Sequence, residues 1–214
     1  MLTWCGYSSL VVDWLSDQTK GQNAAVIFFY FDFAARKEQT ATSMLGSLLK
    51  QVISGMERVP EDISRAFQEQ KKAVSGGKPQ LGDIVKMLQF ITSSQPTFMV
   101  IDALDECTAV QRLRLFDSLK EILEKSPNAR IFVTGRPHIR AEIERCLAGR
   151  VKSVSFSPAK DDIIRFLRVR LREDETPDAM DETLEADILE KFAGSMPETC
   201  VAAMVLRTQS YLTS

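Results

Sequence analysis

Three short stretches of this chain are almost continuously apolar, at residues 24–31, 97–101 and 129–134. They are rich in β-branched and aromatic residues, and polar positions do not alternate with apolar ones. Strands of this kind are buried on both faces, and such strands occur mainly in parallel sheets. The three stretches therefore predict a parallel sheet at the centre of the fold, and residues 151–156 predict a further strand.

The segments between these strands carry apolar residues at helical spacing. A stripe of this spacing predicts an amphipathic helix that covers one face of the sheet. Strands that alternate with helices indicate an α/β fold with right-handed crossovers. The three clearest stripes are Met44, Leu45, Leu48, Leu49, Val52 and Ile53; Leu81, Ile84, Val85, Leu88 and Ile91; and Val110, Leu113, Phe116, Leu119, Ile122 and Leu123.

We predict one main domain, an appendage and a tail. The α/β domain covers residues 1–157. Ser157 and Pro158 supply an N-cap and a first-turn proline for a small helical appendage over residues 158–196. The remaining residues, 197–214, form a divergent tail that is too short to be a domain of its own.

Composition and charge exclude several classes of protein. The 214 residues carry a formal net charge of −2, so no global positive field would gather nucleic acid or an anionic membrane. The longest apolar stretch, residues 24–33, is about half the length of a membrane-spanning helix. One histidine and four widely separated cysteines argue against a zinc site and a disulfide framework. We expect a cytoplasmic protein that binds neither nucleic acid nor a membrane.

A cluster of acidic residues follows the second predicted strand. Asp102 ends the apolar run, and Asp105 and Glu106 come three and four residues later. Open α/β sheets bind ligands at the carboxyl ends of their strands. A carboxylate there suits Mg²⁺ beside substrate phosphates, and Asp105 or Glu106 would orient an attacking water. The structural interpretation is that the acids cap the helix that begins near Thr108 and stabilise its positive end.

The next strand brings a positive charge to the same edge of the sheet. Arg136 follows the run at 129–134, and a guanidinium there can bind a terminal phosphate with two hydrogen bonds. The structural alternative is a surface ion pair, which is worth about 0–1 kcal/mol. The two strand ends support each other as parts of one phosphate site.

Several segments resemble one known family. Residues 99–107 are similar to the Walker B segment of NACHT-type STAND NTPases, especially the fungal group with a nephrocystin-3-like N-terminal domain. Residues 131–137 resemble the sensor 1 strand of that family. Residues 29–33 and 44–51 resemble its second strand and the helix that follows, and residues 161–167 resemble its post-sensor helix.

This resemblance implies a P-loop NTPase sheet and a nucleotide-dependent switch in signal transduction, with Mg²⁺ and ATP or GTP as cofactors. Asp102 would bind Mg²⁺, and Asp105 or Glu106 would be catalytic residues near the hydrolytic water. Arg136 would sense the terminal phosphate. It also implies protein partners or self-association, although the C-terminal repeat module of the family is absent from this sequence.

The phosphate-binding Walker A loop of the family, G-x-x-x-x-G-K-[ST], has no counterpart in this sequence. Residues 2–6 resemble the first strand and residues 9–15 resemble the helix after the loop, so that only Tyr7 and Ser8 lie between them. Ser8 or Ser9 would then stand where the Mg²⁺-binding hydroxyl belongs. The lysine that holds the phosphates has no substitute.

Two hypotheses follow. The chain is either a degenerate nucleotide switch domain that binds ATP or GTP poorly, or a non-enzymatic scaffold or interaction module that retains only the fold. The family hydrolyses nucleoside triphosphates, but we expect this chain to be inactive. A third hypothesis, a metal-dependent phosphatase or nuclease, lacks a nearby histidine or second acidic cluster in the sequence.

Overall fold

The chain divides into two compact units, Met1–Val154 with Val201–Ser214, and Ser155–Cys200. In the second unit only a few positions are described, so the predicted helical appendage lies almost wholly outside the described residues. A computed structural model describes residues 5–56, 79–147, 151–156 and 200–205, with isolated positions between residues 59 and 68 and between residues 164 and 187.

The described residues form five helices and five strands. No helix among them is long and apolar enough to cross a membrane. Single turns of 3₁₀-helix follow two of the strands, at Leu104–Glu106 and Pro137–Ile139. In chain order the elements are α1 (Cys5–Gln18), β1 (Ala25–Tyr30), α2 (Ala41–Ser54), α3 (Leu81–Ser94), β2 (Thr97–Asp102), α4 (Ala109–Lys125), β3 (Ala129–Gly135), α5 (Arg140–Cys146), β4 (Val151–Phe156) and β5 (Cys200–Val205).

The strands form one sheet with the order β1-β2-β3-β5-β4. Strands β1, β2 and β3 run parallel, with Tyr30 beside Asp102. Strand β5 runs antiparallel to β3 and places Ala202 beside Thr134. The three apolar stretches thus form the parallel centre of the sheet, and the predicted α/β fold with flanking helices is confirmed.

The main hydrophobic core lies between one face of the sheet and helices α2, α3 and α4. Side chains alternate along a strand, so Ile27, Met99 and Ile131 point to this face, where they are at most 1% exposed. They belong to the same cluster as the predicted helix stripes. Each buried side chain of this size contributes about 1.5–3 kcal/mol, and this layer therefore holds the parallel strands in place.

The opposite face of the sheet is where α1 packs. Val100 is fully buried but lies between two residues of the main core, so its side chain points to the other face. Helix α1 contacts β1 and β2 and buries Val12 and Ser8. This packing brings the first turns of α1 to the carboxyl edge of the sheet.

The end of one predicted strand is wrong. The resemblance placed the first strand at residues 2–6, but Cys5 and Gly6 already belong to α1, and residues 1–4 lie outside the described part. A helix satisfies its backbone hydrogen bonds locally, whereas a strand needs a vacant sheet edge. The free edge of β3 is occupied by β5, a strand that the sequence analysis did not predict within the tail.

The outer edge of β1 is covered by a side chain of α2. The side-chain amide of Gln51 donates to the carbonyl of Phe28 at 2.8 Å and accepts from its N–H at 3.0 Å. One amide group thus takes the place of a neighbouring strand at this residue. Edge strands with open backbone groups tend to pair with other chains, and Gln51 blocks that pairing.

We expect Gln51→Ala to lower the free energy of unfolding by about 1 kcal/mol, because water replaces two backbone contacts. The open β1 edge should also increase self-association. Denaturation and light scattering at matched protein concentrations measure the two effects. Gln18→Ala, at the exposed end of α1, is the control and should change neither property. If Gln51→Ala scatters light no more strongly than the wild type, the β1 edge does not need the Gln51 side chain to prevent self-association.

Candidate functional site

The carboxylate of Asp102 lies at the carboxyl end of β2 and is only 3% exposed. Its Oδ1 atom accepts hydrogen bonds from the hydroxyls of Ser8 and Thr134. Both hydroxyl residues are buried, Ser8 in α1 and Thr134 near the end of β3. A buried polar group without partners costs several kcal/mol, and an ionised one costs more. The two hydrogen bonds therefore stabilise the buried carboxylate at the point where α1, β2 and β3 meet.

The backbone turns sharply after this carboxylate. Ala103 has φ 53° and ψ 44°, which is the left-handed region. A residue with a Cβ atom pays about 1–2 kcal/mol there. The Ala103 N–H donates to the Thr134 hydroxyl at 3.2 Å, which helps to hold the turn. The turn leads directly into the 3₁₀ turn that carries Asp105 and Glu106.

These two acids hold Arg136. The Nε atom of Arg136 lies 3.3 Å from Oδ2 of Asp105, and its Nη2 atom lies 3.0 Å from Oε1 of Glu106. The backbone N–H of Arg136 also donates to Oδ1 of Asp105 at 3.1 Å. The Asp105 side chain is 5% exposed and that of Arg136 is 52% exposed. The buried Asp105 side chain is therefore held in place, and the exposed guanidinium of Arg136 is the group that can move.

Five of the six predicted site residues lie in the two groups just described. Of the two predicted serines, Ser8 contacts Asp102. Ser9 is in a different place, with its Oγ atom 3.5 Å from the hydroxyl of Tyr30. The structure therefore brings Ser8, and not Ser9, to the carboxylate, while the roles predicted for all six residues stay predictions.

Neither Thr134 nor Ala103 was predicted to belong to the site. A signal for Thr134 was present, because a hydroxyl in a buried apolar run needs a buried partner. Ala103 gave no such signal, since left-handed turns are normally indicated by glycine or asparagine. The turn was therefore not predictable from the residue types alone.

Gly135 sets the spacing between the two groups. A Cβ atom at this position would overlap the Cδ1 atom of Ile139 and would lie 3.1 Å from Oδ1 of Asp105. The small residue therefore lets the end of β3 approach the 3₁₀ turn. The hydrogen bond from the Arg136 N–H to Asp105 depends on this close approach.

Arg112 supports the segment behind the acids. Its Nη1 atom donates to the carbonyl of Cys107 at 2.8 Å, and its Nε and Nη2 atoms both lie 2.8 Å from Oε2 of Glu142. This buried guanidinium connects α4 with α5 and with the end of the acidic segment. Burial raises the pKa of the Cys107 thiol to about 11, although the positive charges of Arg112 and Arg36 oppose the shift.

The chemistry of this edge suits some metal ions and not others. The described residues contain no group of three or more His, Cys, Asp or Glu side chains that could hold a metal. Mg²⁺ needs only one or two protein ligands when phosphates and water complete its shell. The Ser8 hydroxyl and the Asp102 carboxylate fit that smaller requirement.

A comparison with protein-family models shows to which family the chain belongs. The model of nephrocystin 3, N-terminal, matches residues 6–136, which is more than half of the chain. The chain belongs to the nephrocystin 3 N-terminal family. The matched segment contains all six predicted site residues. A search of the curated proteins found no match, and a search of the solved structures found none either.

Membership in the nephrocystin 3 N-terminal family confirms the resemblance to a NACHT-associated family. The match begins at Gly6, in the helix that the structure places at Cys5–Gln18. It ends at Arg136, directly after β3. The absence of a G-x-x-x-x-G-K-[ST] segment from the sequence agrees with the interpretation that the Walker A loop is missing.

We expect Gly135→Ala to lower the free energy of unfolding by about 1–3 kcal/mol, because the new methyl group overpacks a tight contact. Ile139→Val removes the overlapping Cδ1 atom and should restore part of the loss. Gly82→Ala in α3 is the control, since a Cβ atom there meets nothing within 4 Å. Denaturation curves measure all the variants. Gly82→Ala should cause no loss, and a Gly135→Ala variant that also loses no stability would contradict the close approach.

Because of the Cys107 thiol, the free energy of unfolding should depend on pH in the alkaline range. Because its pKa is raised from 9.0 to about 11 in the folded chain, the unfolded state loses this proton first. The free energy of unfolding should therefore be unaffected below pH 8 and fall between about pH 9 and pH 11, in total by about 2–3 kcal/mol. Urea denaturation at several pH values measures the fall. Cys107→Ala should lose less stability over the same range, and an equal loss would contradict the prediction.

Proposed function

We propose that the chain is a degenerate nucleotide-binding switch domain of the NACHT type, from a STAND signalling protein, and that it binds ATP or GTP poorly. The observation that supports this proposal is the hydrogen bond between the Ser8 hydroxyl and the Asp102 carboxylate. A hydroxyl in the first turns of a helix, beside an acidic strand end, is an arrangement suited to a Mg²⁺-bound phosphate.

Each residue of the edge has a role in the proposal. Ser8 and Asp102 would hold Mg²⁺, which neutralises phosphate charge when it is bound. Arg136 would leave its acidic partners to bind the terminal phosphate. Asp105 or Glu106, once released from Arg136, would orient a water molecule. Backbone N–H groups at the start of α1 would add donors for an anion.

The missing lysine explains why binding would be weak. No Lys or Arg precedes Lys20 in the sequence, so no side chain of α1 replaces that contact. A lost charge-assisted bond costs roughly 1.5–3 kcal/mol and each lost neutral bond about 1 kcal/mol. The total of some 4–6 kcal/mol corresponds to a loss of affinity of about a thousandfold or more. Micromolar binding would become millimolar.

Titration calorimetry with ATP and with GTP, each with Mg²⁺, tests the degenerate state. We expect no saturation at micromolar nucleotide. Tight binding that depends on Mg²⁺ would overturn the proposal that the site is degenerate, because the chain would then bind phosphates without the lysine.

Restoring the loop tests the proposed site itself. We expect a G-x-x-x-x-G-K segment inserted directly before Ser8, in place of Gly6 and Tyr7, to restore Mg²⁺-dependent nucleotide binding. The same insertion with alanine in place of its lysine is the matched control and should bind weakly. An insertion that folds, as judged by circular dichroism, and still binds no nucleotide would count against the proposed geometry.

Three substitutions in the restored chain separate the roles of the residues. Asp102→Ala should weaken the Mg²⁺ dependence of binding, and Arg136→Ala should reduce the preference for triphosphate over diphosphate. Glu106→Ala should slow hydrolysis more than binding, because a group that orients water acts in the transition state. Equal effects of all three on affinity alone would contradict the assigned roles.

A non-enzymatic scaffold is the second candidate, and one observation favours it. The polar groups of the edge already satisfy one another: two hydroxyls bind Asp102, and two acids bind Arg136. A site of this kind is stable without a ligand. If the restored chain gains no nucleotide binding while the unmodified chain stays cooperatively folded, the scaffold becomes the better description.

A further inference from the structure

Helix α1 exposes two large apolar side chains. Leu10 is 65% exposed and Trp14 is 62% exposed. The two residues are four positions apart, so they are neighbours on the helix surface. The buried residues Ser8 and Val12 are also four positions apart. A surface helix usually turns its apolar side chains towards the protein and its polar ones towards water, and α1 departs from that arrangement.

The exposed pair faces away from the sheet. Each residue turns an α-helix by about 100°, so Leu10 points about 180° and Trp14 about 140° away from the middle of the buried face formed by Ser8 and Val12. The two side chains are therefore not the margin of the core. Single exposed apolar residues are common, whereas adjacent large ones on a solvent-facing side indicate contact with another surface.

The same outer face carries all the charged side chains of α1. These are Asp13 and Asp17, and the helix contains no Lys or Arg. Together with Leu10 and Trp14 they follow the i, i+3, i+4, i+7 spacing of one helix face. Within the part of the chain that the structure describes, neither carboxylate forms an ion pair. The outer face thus consists of an apolar row beside an acidic row.

The two carboxylates discriminate between possible partners. A second copy that packed its own α1 on this face would bring carboxylates close to carboxylates, and like charges across an interface oppose binding. An anionic membrane surface is repelled for the same reason. A partner that carries Lys or Arg beside apolar residues complements both rows. The i, i+4 rows of one helix pack into the grooves of another helix, so a helical partner also fits the shape.

We propose that the outer face of α1, formed by Leu10, Asp13, Trp14 and Asp17, is a docking surface for a basic amphipathic helix of a partner protein. Apolar residues of that helix cover Leu10 and Trp14, and its Lys or Arg side chains pair with the two carboxylates. Nucleotide has no part in this contact. The proposal therefore goes beyond the proposed function and is tested separately from it.

A synthetic helix tests the surface of the full chain. The probe is a fluorescent peptide of about three heptads, with leucine at the a and d positions and lysine at the e and g positions. We expect saturable binding, measured by fluorescence anisotropy, which weakens as the salt concentration is raised. The same peptide with glutamate in place of lysine is the matched control and should bind at least about tenfold more weakly.

Variants of the chain locate the binding on α1. Trp14→Ala should weaken binding of the lysine peptide at least about tenfold, because exposed aromatic residues that become buried dominate the affinity of an interface. Asp13→Asn combined with Asp17→Asn should weaken binding and remove most of its salt dependence. The control combines Leu113→Ala with Asp117→Asn, which changes an exposed apolar and acidic pair of α4. It should bind like the wild type, and circular dichroism checks that all the variants are folded.

The other possible occupants give different results. A wild-type dimer that Trp14→Ala abolishes, measured by sedimentation, would identify a second copy as the occupant. Binding to phosphatidylcholine vesicles that the same substitution abolishes would identify a lipid surface. Either result would overturn the proposal. It is also overturned if the lysine peptide does not bind at low salt, if the two peptides bind equally, or if Trp14→Ala binds like the wild type.

Discussion

The rest of the structure depends on one buried carboxylate. The carboxylate of Asp102 is only 3% exposed and needs hydrogen-bond partners, which come from two other elements, Ser8 of α1 and Thr134 of β3. This requirement fixes the position of α1 along the sheet more closely than its apolar residues do. Among the described side chains of α1, Val12 is the one buried aliphatic residue, whereas Leu10 and Trp14 are more than 60% exposed. A polar contact therefore sets the position of the helix, and apolar packing supports it.

The same interactions decide which part of the edge can respond to a ligand. The bonds to Asp102 are buried, so a ligand that separated them without replacing them would leave an unpaired carboxylate at a cost of several kcal/mol. The ion pairs of Arg136 are half-exposed at the guanidinium but buried at Asp105, whose side chain is 5% exposed. If the guanidinium turned away, Asp105 would still accept a hydrogen bond from the backbone N–H of Arg136. Opening Arg136 therefore costs less than opening Asp102. An incoming phosphate would meet a fixed Ser8–Asp102 pair and an arginine that is free to turn.

The sequence predicted the parallel part of the fold because short, continuous apolar runs are compatible with few structures other than buried strands. It also predicted that Asp102 and Arg136 follow strands ending at the same edge, since parallel strands place their carboxyl ends together. The end of the predicted first strand, at Cys5 and Gly6, was wrong because an apolar segment before a helix is compatible with both states. Strand β5 was missed because its two alanines have low strand propensity, and its pairing is set by a vacant edge far away in the sequence. The left-handed turn at Ala103 also depends on contacts that no local pattern encodes. The apolar run of β3 indicates that the Thr134 hydroxyl needs a buried partner, but not that this partner is Asp102.

The position of β5 connects the closure of the sheet with the site. Strand β5 pairs with Thr134 and Gly135, of which one holds Asp102 and the other lets Asp105 reach Arg136. Strand β5 therefore supports this edge by holding the end of β3 in the sheet. The resemblance assigned a strand at residues 2–6 to the sheet, but the structure closes β3 from the other end of the chain.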